Sequence, residues 1–277
     1  MTWVNRVCRF FSFFQLYPAL VAIVPVYFSA EFCGVDFSVK LFLIALLVGI
    51  AIFSFNRVTD RIEDGLNKPT KVTIRAYDSI ISPIVFCILA VVLGLLVSGV
   101  RVVLVLLVPL ILGFFYSKKV FKSLPRFKDV LGLKNIVVAF CVAFLASFLI
   151  SFMGAVNFGM IALVFVYVFI QFFINTALFD VFDMSGDKIA NVHTLPLKFG
   201  VKRFAYFLLV LNSLLFVWLG LTLISGLVIR HLFVAVLGIF YTYVCIWYFT
   251  KNTDKRSLAT VFVDGQWLFL SVLMWAI

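Results

Sequence analysis

The stretch SPIVFCILAVVLGLLVSGVRVVLVLLVPLILGFFYSKK, from Ser82 to Lys119, contains two apolar runs separated only by a short turn at Ser98-Gly99 and Arg101. Each run is about 18 to 20 residues long, which at the helical rise of about 1.5 Å per residue matches the hydrocarbon core of a bilayer. The same pattern continues in both directions along the chain. Apolar runs fall at 13–30, 40–57, 79–99, 101–117, 135–153, 158–180, 204–225, 230–249 and 258–277. The polar stretches between them are too short to hold a soluble domain. The sequence therefore predicts an all-α integral membrane protein, a single bundle of nine transmembrane helices over residues 1–277 embedded in the lipid bilayer. Phe10 to Ala30 is too long, and too interrupted by Gln15, Tyr17 and Pro18, for a signal peptide, so it reads as a retained first helix.

The basic residues give an independent check on this layout, because lysine and arginine collect in cytoplasmic loops. Of the 23 lysines and arginines, all but Lys40, Arg101 and Arg230 fall on one side when the nine spans alternate. This places the N-terminus and most loops in the cytoplasm and the C-terminus on the far side. The net charge of +11 is then mainly an orientation signal with attraction for anionic headgroups. It does not indicate nucleic-acid binding, since no nucleic-acid module separates from the spans. The five scattered cysteines lack CxxC spacing and give neither a disulfide framework nor a thiolate metal site. No obligate protein partner is indicated.

The acidic residues are distributed less evenly. In FNRVTDRIEDGLNKPTK, Phe55 to Lys71, the residues Asn56, Asp60 and Asp64 recur every fourth position and would lie along one helical face. In NTALFDVFDMSGDK, Asn175 to Lys188, the spacing of Asp180, Asp183 and Asp187 again places three carboxylates on one face if the sixth helix continues. Spans two and six run in the same direction, so both faces emerge at one depth on the cytoplasmic side. Carboxylates near a hydrocarbon core require a partner, a cavity or a cation. Oxygen ligands favour a hard ion, and Mg²⁺ typically takes one or two carboxylates together with substrate phosphate oxygens.

The two motifs and the nine-span layout resemble the UbiA superfamily of intramembrane prenyltransferases over essentially the whole chain. The resemblance implies that Asn56, Asp60, Asp64, Asp183 and Asp187, with Asp180 as a further ligand or in support, hold Mg²⁺ and the diphosphate of an isoprenyl donor. The cavity is expected to open sideways into lipid. The chain departs from the family pattern at Arg57, where an acidic residue is usual, and at LNKPTK, which replaces an arginine–proline pair. In YSKKVFK the position of the family's lysine is Val120, so Tyr116 and Lys119, three apart and able to share a helical face, become the catalytic pair.

The expected reaction is Mg²⁺-dependent transfer of an isoprenyl group from its diphosphate to a lipophilic acceptor. An aromatic quinone precursor is the first acceptor class and a prenylated glycerophosphate the second. Lys68, Arg126, Lys128, Lys134 and Lys188 are further candidates for diphosphate contact, each with the alternative of being a loop charge. Most of the phenylalanines are structural, and some would line a prenyl cavity. Asp264 and Gln266 lie within the ninth span as hydrogen-bond partners or cavity residues. Two other classes compete. A CDP-alcohol phosphotransferase would carry its acids in one continuous motif, and a cation transporter would place them near mid-membrane.

Overall fold

The computed structural model describes residues 15–60, 80–120, 125–189, 192–226 and 230–277. Among them the fold is helical. It comprises α1 (Leu16–Cys33), α2 (Val39–Thr59), α3 (Ile81–Ser98), α4 (Val100–Ser117), α5 (Leu133–Phe148), α6 (Phe158–Ile189), α7 (Leu195–Phe199), α8 (Val201–Ile224), α9 (Leu232–Lys251), α10 (Arg256–Phe262) and α11 (Gln266–Ala276). Short 3₁₀ turns at Phe127–Asp129 and Leu149–Phe152 flank α5. Nine segments among the described residues are long and apolar enough to cross a membrane, the last being α10 and α11 taken together.

Helix α6 runs through the bundle and packs against α5, α8, α9 and α10, while α1 is enclosed by α2, α5 and α11. Close approaches depend on small residues. A methyl group added at Gly49 would sit 3.2 Å from the Ala19 side chain, and one at Gly113 would sit 3.0 Å from Ile52. These contacts bring α1 to α2 and α2 to α4, as expected where van der Waals packing rather than the hydrophobic effect joins helices. By contrast α3 and α8 expose Ile84, Ile88, Leu96, Val210, Val217 and Leu221, the apolar outer faces that suit lipid.

One end of the bundle interior is filled by rings. Phe28 stacks on Phe32 and Tyr167, Trp267 meets Phe28 edge-on, and Trp218 lies against Tyr167. The polar tips are satisfied: Tyr167 donates to the Ala235 carbonyl at 2.9 Å and Trp218 to that of Leu163 at 2.8 Å. Nearby, Gln171 of α6, Asn212 of α8, Thr242 of α9 and Gln266 of α11 form a closed buried network. Gln266 donates to Gln171 at 2.9 Å, Thr242 to Gln171 at 2.5 Å and Gln171 to Asn212 at 3.3 Å. Gln266 is therefore a structural hydrogen-bond partner.

The ninth span begins at Arg256, within a few residues of the expected 258, and it breaks over Val263–Gly265, which the apolar run does not show. At the break Asn175 of α6 donates to the Val263 carbonyl at 2.9 Å, and the backbone there requires glycine at 265, where a side chain would collide with the Val261 carbonyl oxygen. Asp264 sits in this break beside Asn175 and Tyr17, rather than on a helical face. The second helix ends at Thr59 with Asp60 as its cap, the Asp60 N–H donating to the Asn56 carbonyl at 2.9 Å. The shared face thus covers Asn56 and Asp60, and Asp64 and Lys68 lie outside the described residues. Finally, α4 ends at Ser117 and Lys118 is extended, so Lys119 does not share a helical face with Tyr116.

Candidate active site at the polar end of the bundle

Side-chain hydrogen bonds join the C-terminal ends of α2 and α4, and join the C-terminal end of α6 to the N-terminal ends of α5 and α10. Ser117, the last residue of α4, donates to Asn56 Oδ1 at 3.0 Å. Asp60 is 9% exposed and is paired with Lys128, itself 5% exposed, from the 3₁₀ turn. The loop carrying Lys128 is folded back on α4, where Phe127 stacks against Phe115. Arg126 holds Asp129 through two bonds of 2.8 Å, so this arginine braces the turn.

On the other side, α6 continues to Ile189 as its spacing requires, and its three aspartates differ in environment. Asp180 is 1% exposed and receives Lys134 at 2.8 Å on one oxygen and Asn135 at 3.0 Å on the other. That closed arrangement ties α5 to α6. Asp183 is part-exposed and is gripped by Arg256 of α10 through both carboxylate oxygens. Asp187 is buried one turn further along. Lys134 lies close enough to Asp187 and to Tyr116 to act on them electrostatically, which links the α6 face to α4 and, through Ser117, to Asn56. The two motifs thus occupy one end of the molecule, on either side of Tyr116 and Lys134.

Among the described residues no group of three acidic, histidine or cysteine side chains forms a ready-made metal cage. The donor set is nevertheless a hard one. It offers amide and carboxylate oxygens from two separate helices, which fits a cation that completes its shell with substrate phosphate oxygens. Lys119 and Lys188 are exposed at this end and make no described contact with either motif.

Two apolar spaces lie behind the polar residues. A cavity of about 90 Å³ is enclosed by α1, α2, α4 and α5, with Asn56 and Tyr116 as its polar lining and Phe53, Pro109 and Val142 among its walls. A lateral groove of about 310 Å³ lies between α2, α3 and α4, lined by Phe55, Ile84, Phe114 and, at its polar end, Lys118. Ile52 and Gly113 line both spaces and form the wall between them.

A family model for the UbiA prenyltransferase family matches residues 16–273. The chain belongs to that family. This UbiA chain is accordingly an intramembrane prenyltransferase, and the phosphotransferase and transporter alternatives fall away. No curated protein sequence matches it significantly. Solved structures with the same fold include a UbiA homologue from Archaeoglobus fulgidus bound to DMAPP and Mg²⁺. It is 20% identical with a TM-score of 0.73, over 97% of this chain and 99% of that one. A digeranylgeranylglyceryl phosphate synthase matches with 17% identity and a TM-score of 0.67, over 98% and 97% of the two chains. The apo UbiA homologue from Aeropyrum pernix K1 matches with 12% identity and a TM-score of 0.66, over 94% and 96%.

Arg256, Ser117 and Asn135 were not apparent as site residues from the sequence. Arg256 resembled any other charge in the loop before the last span. Only the break at Val263–Gly265, which sets the register of α10 on α6, brings it to Asp183.

Proposed function

We propose that this UbiA chain transfers an isoprenyl group from an isoprenyl diphosphate to a lipophilic acceptor in the membrane and releases diphosphate. The observation that carries this proposal is an apolar cavity whose polar lining is Asn56 of the first motif and Tyr116, with Lys134 relating Tyr116 to the aspartates of the second motif. Asn56, Asp60, Asp183 and Asp187 supply the oxygen donors that would hold Mg²⁺, with Asp64 added from its place in the first motif. When bound, the ion supplies positive charge that stabilises the diphosphate as it departs. The Mg²⁺-bound Archaeoglobus fulgidus homologue supports this assignment.

The chain's own residues account for the remaining requirements. Lys128 and Lys134 bring positive charge beside the carboxylates and limit repulsion of an incoming anion. Lys119, Arg126 and Lys188 add to the positive field at the same end, and Lys68, outside the described residues, is added from its place in the sequence. Asp180 positions Lys134 and keeps α5 against α6. Tyr116 faces the cavity, where an aromatic ring lowers the energy of an allylic cation and apolar walls exclude the water that would capture it. The acceptor is an aromatic quinone precursor in the first reading. The second, a prenylated glycerophosphate, draws support from the likeness to the digeranylgeranylglyceryl phosphate synthase. The active site faces the cytoplasm, as does the N-terminus, because the loops that form it carry most of the basic residues.

Binding of a non-hydrolysable thiolo-diphosphate analogue tests the metal assignment. Excess EDTA is expected to abolish binding, since the diphosphate would then lose the cation that joins it to the oxygen donors of the two motifs. Undiminished affinity in EDTA would remove the metal from the account.

A further inference from the structure

The two described ion pairs made by Asp180 and Asp183 of α6 differ in accessibility. The Lys134–Asp180 carboxylate is sealed, with each oxygen already engaged by a donor from α5 and only 2% of its side chain exposed. The Arg256–Asp183 pair is open, with 33% of the arginine and 17% of the aspartate side chain exposed. It also joins two elements that are otherwise tethered eight residues away, where Asn175 of α6 holds the Val263 carbonyl. From that anchor α10 runs back alongside α6. The seven residues from Val263 to Arg256 and the eight from Asn175 to Asp183 span about 10 Å and about 12 Å of helix. The break in the ninth span therefore delivers a guanidinium to Asp183 at a fixed level.

An arginine fork matches a carboxylate and a phosphate equally well, and it cannot be discharged by deprotonation. Asp183 is one of the carboxylates assigned above to the metal, and a carboxylate oxygen committed to a hard dication no longer serves as the acceptor for a guanidinium. We propose that Arg256 is a diphosphate-binding residue that rests on Asp183 in the donor-free enzyme and transfers to a diphosphate oxygen when the metal takes the carboxylate. This assignment rests on the prenyl-transfer reading. In it Arg256 has two measurable effects of opposite sign, competing with the metal for Asp183 and adding a charge-assisted contact to the substrate.

The test uses the full chain in detergent micelles, with Mn²⁺ as the spectroscopic probe of the metal site and inorganic diphosphate as the anion. In Arg256→Gln, Mn²⁺ is expected to bind about tenfold more tightly without diphosphate, because its competitor is gone. Diphosphate in saturating Mg²⁺ is expected to bind about tenfold more weakly. Arg256→Lys keeps the charge but not the fork, so it should retain wild-type melting behaviour while losing part of the diphosphate affinity. Unchanged affinities in Arg256→Gln, or weaker Mn²⁺ binding, would overturn the assignment and leave Arg256 as a brace on Asp183. Wild-type protein that binds no diphosphate with Mg²⁺ would overturn the prenyl-transfer reading and this assignment with it.

Discussion

Asp180 and Asp183 are three residues apart on one helix and have opposite consequences for the protein. Asp180 lies in a sealed pair with Lys134 and Asn135, so Asp180→Asn removes the charge that compensates a largely buried lysine. Breaking such a pair costs about 3 kcal/mol. A clear fall in melting temperature in detergent is expected, with part of the enzyme's activity retained at low temperature. Asp183 lies at the open pair with Arg256, and Asp183→Asn is expected to leave the melting temperature close to wild type while turnover falls by about a hundredfold or more. Thermal melts and turnover measured on the same preparations separate the two residues. Equal loss of stability in both would remove the distinction between scaffold and site. The sequence shows the i, i+3 and i+7 spacing that places these acids on one face, but it does not show which of them is sealed. That depends on Lys134 and Asn135 arriving from α5, a contact between residues about 45 positions apart, which no local pattern carries.

At the scale of elements, the site is held by helix ends, and helix ends are where sequence patterns are least informative. The apolar runs locate every described span within a few residues. α2 ends at Thr59 with Asp60 as its cap, and the end of α4 at Ser117 leaves Lys119 off the helix. Neither end carries a glycine or a proline that would announce it. The break in the ninth span is partly announced by Asp264-Gly265, but the need for it appears only in the meeting with Asn175. The wall between cavity and groove depends on a similarly specific contact. A methyl group at Gly113 would press on Ile52 at 3.0 Å, so Gly113→Ala is expected to destabilise α2 against α4 by about 1 kcal/mol. Ile52→Ala, which removes the Cγ1 and Cγ2 atoms nearest that methyl, should cost less in the Gly113→Ala chain than in the wild type, as read by thermal melting. A Gly113→Ala protein as stable as wild type, or an Ile52→Ala change that costs as much in the variant as in the wild type, would mean that this contact does not set the spacing of α2 and α4.

At the scale of the molecule, the fold divides the bundle between a ring-filled interior and a polar end. Tyr167, central to the packed rings, lies 13 residues before Asp180 on α6, or about 20 Å along the helix. The aromatic packing and the Gln171 network therefore close one part of the bundle while the ion pairs gather at the other. The proposed orientation, with the polar end in the cytoplasm, rests on the distribution of basic residues. A reporter inserted within Lys118 to Lys128 is expected to read cytoplasmic, and one following Ile277 to read on the far side. Both reporters on the same side would contradict the alternation of nine spans and the common level of the two motifs.

The central claim, that the two acidic motifs and the apolar cavity make one prenyl-transfer site, is tested most directly by product formation. Purified protein is incubated with Mg²⁺, isoprenyl diphosphates of several chain lengths and a membrane lipid extract, and the products are identified by mass spectrometry alongside released diphosphate. The expected result is a lipid that gains an isoprenyl mass in step with diphosphate release, dependent on Mg²⁺ and lost in Asp60→Asn and in Asp183→Asn. Prenylated product formed equally well by either variant, or an intact donor with every chain length and the full extract, would contradict the account.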